Sequence, residues 1–166
     1  MKRLTSLFVA VVMVLALSGV AAGATVYSTP LNAASEVPPN ESLARGTAMF
    51  KVSDDGTEIQ YRLLVANIEN VVAAHIHLAP AETNGPVVAF LFGPAAPGGG
   101  SFSGVIATGT ITAANLIGPL TGQPLSALID AIEAGNAYVN VHTNDGDPTT
   151  PGGPGDLPGG EIRGQL

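Results

Sequence analysis

The chain contains no cysteine, and that absence excludes several kinds of chemistry. Without thiols it cannot form a disulfide, a thiolate metal site, a c-type haem attachment or a lipid-modified cysteine. Basic residues are also few, because six lysines and arginines stand against thirteen aspartates and glutamates, for a formal net charge of −7. A negative charge of this size repels phosphate backbones and anionic membrane surfaces, so we expect no nucleic-acid partner.

Charged residues make up only 11% of the chain and hydrophobic residues 46%, which is unlike a disordered acidic tail or a charged coiled coil. The length of 166 residues fits one domain. Glycine and proline are abundant, at 21 and 13 residues, without the three-residue period of collagen. This composition favours many turns and short strands over a helical bundle.

The N-terminal segment has the three parts of a secretory signal peptide. A positively charged start at 1–3 is followed by an apolar run over 7–17 and by small residues at 22–24. The apolar run is shorter than the ~20 residues that span a bilayer. We therefore predict a cleaved signal peptide over residues 1–24 and a single mature domain over residues 25–166. The mature protein is expected to be secreted, extracellular or periplasmic, with no membrane insertion.

Alternating apolar and polar residues predict short antiparallel strands along most of the mature chain. The clearest pair is a hairpin in which 47–52 and 58–65 are joined by the turn Asp54-Asp55-Gly56. Further strands are predicted at 73–78, 87–92, 102–111, 137–143 and 161–165. The aromatic side chains expected in the core are Tyr61, Phe50, Phe90 and Phe92.

One segment has helical rather than strand spacing, and Gly135 follows it as a stop. Its apolar residues are Leu125, Leu128, Ile129 and Ile132. Together these patterns predict a mainly β fold, an antiparallel β-sandwich of about seven or eight strands with one short helical crossover. Its expected architecture is immunoglobulin-like or superoxide-dismutase-like.

Residues 144–160 form a long insertion rich in glycine, proline and aspartate. The carboxylates of Asp145, Asp147 and Asp156 suggest Ca²⁺ binding, but their spacing is not that of a regular calcium loop. We therefore interpret the insertion as a solvated acidic loop. A lid or a cation-attracting rim is the alternative, because structureless loops of this length are uncommon.

Four short motifs occur in order along the mature chain. They are Ser35-Glu36-Val37-Pro38-Pro39, Ala73-Ala74-His75-Ile76-His77, Tyr138-Val139-Asn140-Val141-His142-Thr143 and Gly160-Glu161-Ile162-Arg163-Gly164-Gln165-Leu166. Together they resemble the chordin-type (CHRD) domain family over nearly the whole mature chain. The resemblance implies an extracellular β-rich module without established catalysis. The insertion at 144–160 replaces the short Pro-Gly link that the resemblance implies.

The last three motifs carry polar residues at every second position, so each polar row lies on one face of its strand. If the strands are neighbours, all three histidines of the chain converge on one patch. Three imidazoles suit a mononuclear Zn or Cu site with an open position. We therefore predict His75, His77 and His142 as metal ligands, with Glu161 as a fourth ligand or as the acceptor that orients an imidazole.

Three further residues, Glu36, Asn140 and Arg163, are expected to complete this polar cluster. For Glu36 and Arg163 we favour an alternative role, an ion pair that pins the first strand to the last. The histidines have an alternative too, as a hydrogen-bonded surface feature. Copper–zinc superoxide dismutase chemistry is excluded, because it needs more than three histidines.

The preferred function is a non-enzymatic extracellular binding module for a protein, glycan or metal ligand. The alternative is a mononuclear metalloenzyme whose three-histidine site activates water or oxygen. In that alternative Glu161 is the base and Arg163 orients an anion.

Overall fold

The computed structural model describes residues 24–149 and 152–166, so the predicted signal peptide lies outside the described residues except for its last position. The eight strands are β1 (Val26–Asn32), β2 (Arg45–Val52), β3 (Ile59–Glu69), β4 (Val71–Leu78), β5 (Val87–Phe92), β6 (Ser101–Ile111), β7 (Ala137–Thr143) and β8 (Ile162–Gln165). The described residues also form a helix, α1 (Ser126–Glu133), and 3₁₀ turns at Ala33–Ser35, Ala113–Asn115 and Gly118–Leu120. No helix in this part of the chain is both long enough and apolar enough to span a membrane.

The strands form one continuous sheet in the order β5-β4-β7-β8-β1-β2-β3-β6, and all neighbours are antiparallel. The sheet is rolled into a nearly closed barrel. Tyr61 on β3 donates from its hydroxyl to the Leu91 carbonyl on β5, at 2.8 Å. Within the described residues, the predicted β class, the strand number and the single α-helix are confirmed. Hydrogen bonds run without interruption from β5 to β6, so the structure does not establish a sandwich or an immunoglobulin-like architecture.

The β2–β3 hairpin forms as predicted, with Val52 paired to Ile59 across a turn that contains Gly56 at φ +68°. The alternate residues of both strands point into the barrel. Among the most buried side chains there are Ala48, Phe50, Ile59 and Leu63. Full burial of one large apolar side chain stabilises a fold by about 1.5–3 kcal/mol, so this inward face is a main source of stability.

The sequence prediction did not include β1. Proline is unusual inside a strand because it has no N–H to donate, and Pro30 lies within β1. The structure accommodates it because β1 is paired along its full length only with β2. On its other side β1 meets β8 in register only at Asn32, opposite Arg163.

Strands β4, β7 and β8 are adjacent, and their register aligns the predicted polar rows. His75 lies opposite Asn140, and His77 lies opposite Tyr138. Asn140 in turn lies opposite Arg163. Directly opposed residues share a face of the sheet. Since the intervening apolar residues fill the barrel, the polar rows lie together on its outer face.

Candidate metal centre

The three histidines meet on the outer face of β4 and β7. One ligand nitrogen from each lies within 4.8 Å of the others, and His75 Nδ1 is 3.0 Å from His142 Nε2. Nitrogens around a tetrahedral zinc ion lie about 3.3 Å apart when Zn–N bonds are about 2.0–2.1 Å long. A contraction of about 1.5 Å or less, within reach of side-chain rotation, therefore brings all three to a common ion.

Backbone carbonyls orient two of the rings. His77 donates from Nδ1–H to the Gly85 carbonyl at 2.9 Å, and His142 donates from Nδ1–H to the Pro158 carbonyl at 3.0 Å. A carbonyl only accepts, so each neutral ring carries its proton on Nδ1 and its lone pair on Nε2. The lone pair of His77 has no partner among the described residues, whereas that of His142 accepts from His75 Nδ1–H at 3.0 Å. Metal-bound histidines are commonly fixed in this way by an acceptor behind the ring.

The Nε2 atom of His77 is buried and has no hydrogen-bond partner among the described residues. A buried polar atom without a partner costs about 1–3 kcal/mol. A metal ion is one partner that this lone pair can accept, because the proton of the ring is already committed to Gly85.

Burial keeps the three rings neutral. Burial is the largest cause of the low pKa of His75, which is about 4, and the neighbouring charges of His142 and His77 lower this pKa further. Burial also lowers the pKa of His77 and of His142, although their carbonyl partners act in the opposite direction. Metal binding requires neutral imidazole, so these rings compete little with protons near neutral pH.

Aromatic contacts surround the group. Phe90 packs edge-on against His75 with ring centroids 4.6 Å apart. The expectation that Phe90 lies in the core is wrong, because it faces His75 in the β4–β5 register and is 49% exposed. On the other side His77 stacks on Tyr138 at 4.8 Å, and the Arg163 guanidinium carbon lies 3.4 Å from the centre of the Tyr138 ring.

The structure does not bring Glu161 into the histidine group. Its carboxylate accepts hydrogen bonds from Ser42 Oγ at 2.5 Å, Thr143 Oγ1 at 2.6 Å and the Gly155 N–H at 2.9 Å. Both oxygens are therefore engaged, and the side chain is 1% exposed. This residue joins the end of β7 to the insertion and to the segment before β2.

Glu36, Asn140 and Arg163 lie together, but not as the expected ion pair. Glu36 Oε2 accepts from Asn140 Nδ2 at 3.2 Å, whereas Arg163 donates from NH2 to the Thr83 carbonyl at 2.9 Å and from NH1 to Asn84 Oδ1 at 3.2 Å. Burial raises the pKa of Glu36 to about 7, and the charge of Arg163 opposes that rise only in part.

The insertion contacts the site through its second half. Besides the Pro158 carbonyl on His142, the Leu157 N–H donates to Thr143 Oγ1 at 3.0 Å. Asp145 and Asp147 are exposed. Sequence reasoning missed the carbonyls of Gly85 and Pro158, because a backbone group has no residue type that marks it.

Comparison with known sequences gives the family of this fold. A sequence model described as the CHRD domain matches residues 27–153. No curated protein and no solved structure is significantly similar to the chain. The match includes Glu36 and the three histidines but ends before the motif at 160–166, so it is shorter than the resemblance over nearly the whole mature chain. Because it covers well over half of the residues, the chain belongs to the CHRD domain family.

Proposed function

We propose that this chain is a secreted, non-enzymatic binding module in which His75, His77 and His142 hold one transition-metal ion. The observation that carries the proposal is a group of three imidazoles in which His77 and His142 bind carbonyls through Nδ1–H and keep Nε2 as the ligand atom, with the Nε2 lone pair of His77 unused. Secretion is supported by the signal-peptide pattern at 1–24 and by the extracellular character that the family resemblance implies.

Imidazole chemistry narrows the choice of ion. Neutral nitrogen ligands suit Zn²⁺ and Cu²⁺, whereas Ca²⁺ and Mg²⁺ prefer oxygen ligands. The histidine group contains no carboxylate among the described residues, which disfavours the oxygen-seeking ions. Three protein ligands leave an open position on the ion, to which a further ligand can bind.

Binding is better supported than catalysis. The catalytic alternative assigns Glu161 as the base, but both of its oxygens accept hydrogen bonds from Ser42, Thr143 and the Gly155 N–H. A general base must lie within hydrogen-bond reach of the proton that it removes. No other acidic side chain belongs to the histidine group in the described part of the chain.

The experiment is a titration of the mature domain, residues 25–166, produced without a histidine tag. Elemental analysis after purification and calorimetric titration with Zn²⁺ and with Cu²⁺ should each give about one ion per chain. His77→Ala should weaken binding by about 100-fold or more, because one of three ligands is lost. Gln60→Ala, at an exposed position on β3, is the control and should bind normally. Absence of binding, or equal affinity in His77→Ala, would refute the proposal.

A further inference from the structure

A second feature of the outer face lies beyond Tyr138, where a pocket of about 490 Å³ opens over β8. Glu36 and Arg163 line it, together with apolar walls from Val37, Pro39 and Ala81. This volume is in the range of small-molecule sites, and it is far larger than the space for one water molecule. The histidines are not part of its lining.

Two polar groups lining the pocket lack partners. Glu36 is 5% exposed; its Oε2 accepts from Asn140, while its Oε1 is buried and has no partner among the described residues. Arg163 is 1% exposed and donates only from NH1 and NH2, so no described residue accepts from its Nε–H. Both side chains line the same pocket, so Glu36 Oε1 and the Arg163 Nε–H are unused hydrogen-bonding groups at its wall.

A hydroxyl group satisfies both, because its oxygen accepts from a guanidinium N–H while its hydrogen is donated to a carboxylate. A charged ligand fits less well. An anion would meet Glu36 and the rim residue Glu82, and a cation would meet the buried guanidinium of Arg163. The apolar walls suit the C–H surface of a ring.

We propose that this pocket binds a neutral saccharide, with one hydroxyl bridging Glu36 and Arg163. The proposal does not rest on the metal site, because the pocket is formed by the segment after β1, the β4–β5 loop and β8.

The test uses the metal-free mature domain at pH 8, where the Glu36 carboxyl is ionised, and two kinds of probe. A glycan array identifies which saccharides bind, and calorimetric titration with the methyl glycosides of glucose, galactose, mannose and N-acetylglucosamine measures affinity. Glu36→Gln is the principal variant. Since Asn140 holds the amide oxygen, the amide nitrogen takes the position of Oε1 and cannot accept a hydrogen bond. Glu41→Gln is the matched control, because Glu41 is exposed and outside the pocket lining.

We expect saturable binding of at least one array glycan or glycoside, a loss of about tenfold or more in Glu36→Gln, and no change in Glu41→Gln. Ala81→Trp should also abolish binding, because it fills the pocket from an exposed loop position and leaves Glu36 and Arg163 in place. His142→Ala should bind saccharide normally, which separates this site from the metal site. The proposal is wrong if no glycan or glycoside binds, if only charged glycans bind, or if Glu36→Gln keeps full affinity.

Discussion

Replacement of Glu36 by glutamine should change how stability depends on pH. Burial raises the pKa of this carboxyl from 4.5 to about 7 in the folded chain. Between those values the folded state keeps a proton that the unfolded state has lost, so the free energy of unfolding falls as pH rises. At about 1.4 kcal/mol per pH unit, this loss of unfolding free energy amounts to about 3 kcal/mol. None of the loss has occurred below pH 4.5, and all of it has occurred above about pH 7.

The histidines act in the opposite direction, so the wild-type curve alone does not isolate this effect. The pKa of His75 is lowered from 6.5 to about 4, and its contribution to stability is lost as pH falls through that interval. The two trends partly cancel between pH 4.5 and pH 6.5. The difference between Glu36→Gln and wild type removes the histidine contributions, because both proteins carry the same three rings.

Urea unfolding of the metal-free mature domain near pH 4.5 and near pH 8 measures this difference. Relative to wild type, Glu36→Gln should gain about 3 kcal/mol of unfolding free energy from the lower to the higher pH. The exposed control Glu41→Gln should show a flat difference. A difference for Glu36→Gln that is constant to within about 0.5 kcal/mol would refute the raised pKa and the burial argument behind it.

Chelation should leave the thermal unfolding of the mature domain cooperative, because a domain of this size buries a sufficient core without metal; unfolding by a chelator would instead indicate a structural ion. Added Zn²⁺ should raise the Tm of wild type but not of His142→Ala, as measured by calorimetry. Glu161→Gln should lower the unfolding free energy by about 2–3 kcal/mol in urea, because its carboxylate holds three donors. Its Zn²⁺ affinity should be retained, and a stable variant that loses affinity would make Glu161 a ligand after all. Asp145→Asn combined with Asp147→Asn should change Zn²⁺ affinity by less than about twofold, because the insertion reaches the site through the Pro158 carbonyl; a tenfold loss would favour the acidic rim.

The local pattern was sufficient to predict which residues share a face. Strands β5 and β7 have the predicted bounds, and the His-x-His spacing places His75 and His77 on one side of β4. The reason is that strand alternation is a property of consecutive residues and depends little on the rest of the fold. The convergence with His142 also requires β4 and β7 to be neighbours. The pattern of consecutive residues does not determine which strands are neighbours, so the sequence alone could not establish this convergence.

Glu161 shows where this reasoning fails. Alternation predicts that it shares a face with Arg163, but β8 begins at Ile162, and Glu161 follows Gly160 at φ +137°. Outside a regular strand the period of two no longer determines direction. The side chain therefore reaches Ser42 and Thr143 instead of the histidines.

The unpartnered polar atoms give a physical reason to treat this outer face as functional. In the described part of the chain, the buried side-chain atoms without partners belong to Glu36, His77 and Asn140. Each such atom costs about 1–3 kcal/mol unless a ligand or ion satisfies it, and all three residues lie in the polar cluster on one face. Asn140 donates to Glu36 and lies opposite His75, so this residue lies between the proposed saccharide pocket and the proposed metal centre. If a bound saccharide changes Zn²⁺ affinity through this residue, bound Zn²⁺ must change saccharide affinity by the same factor, because coupling between two binding equilibria is reciprocal.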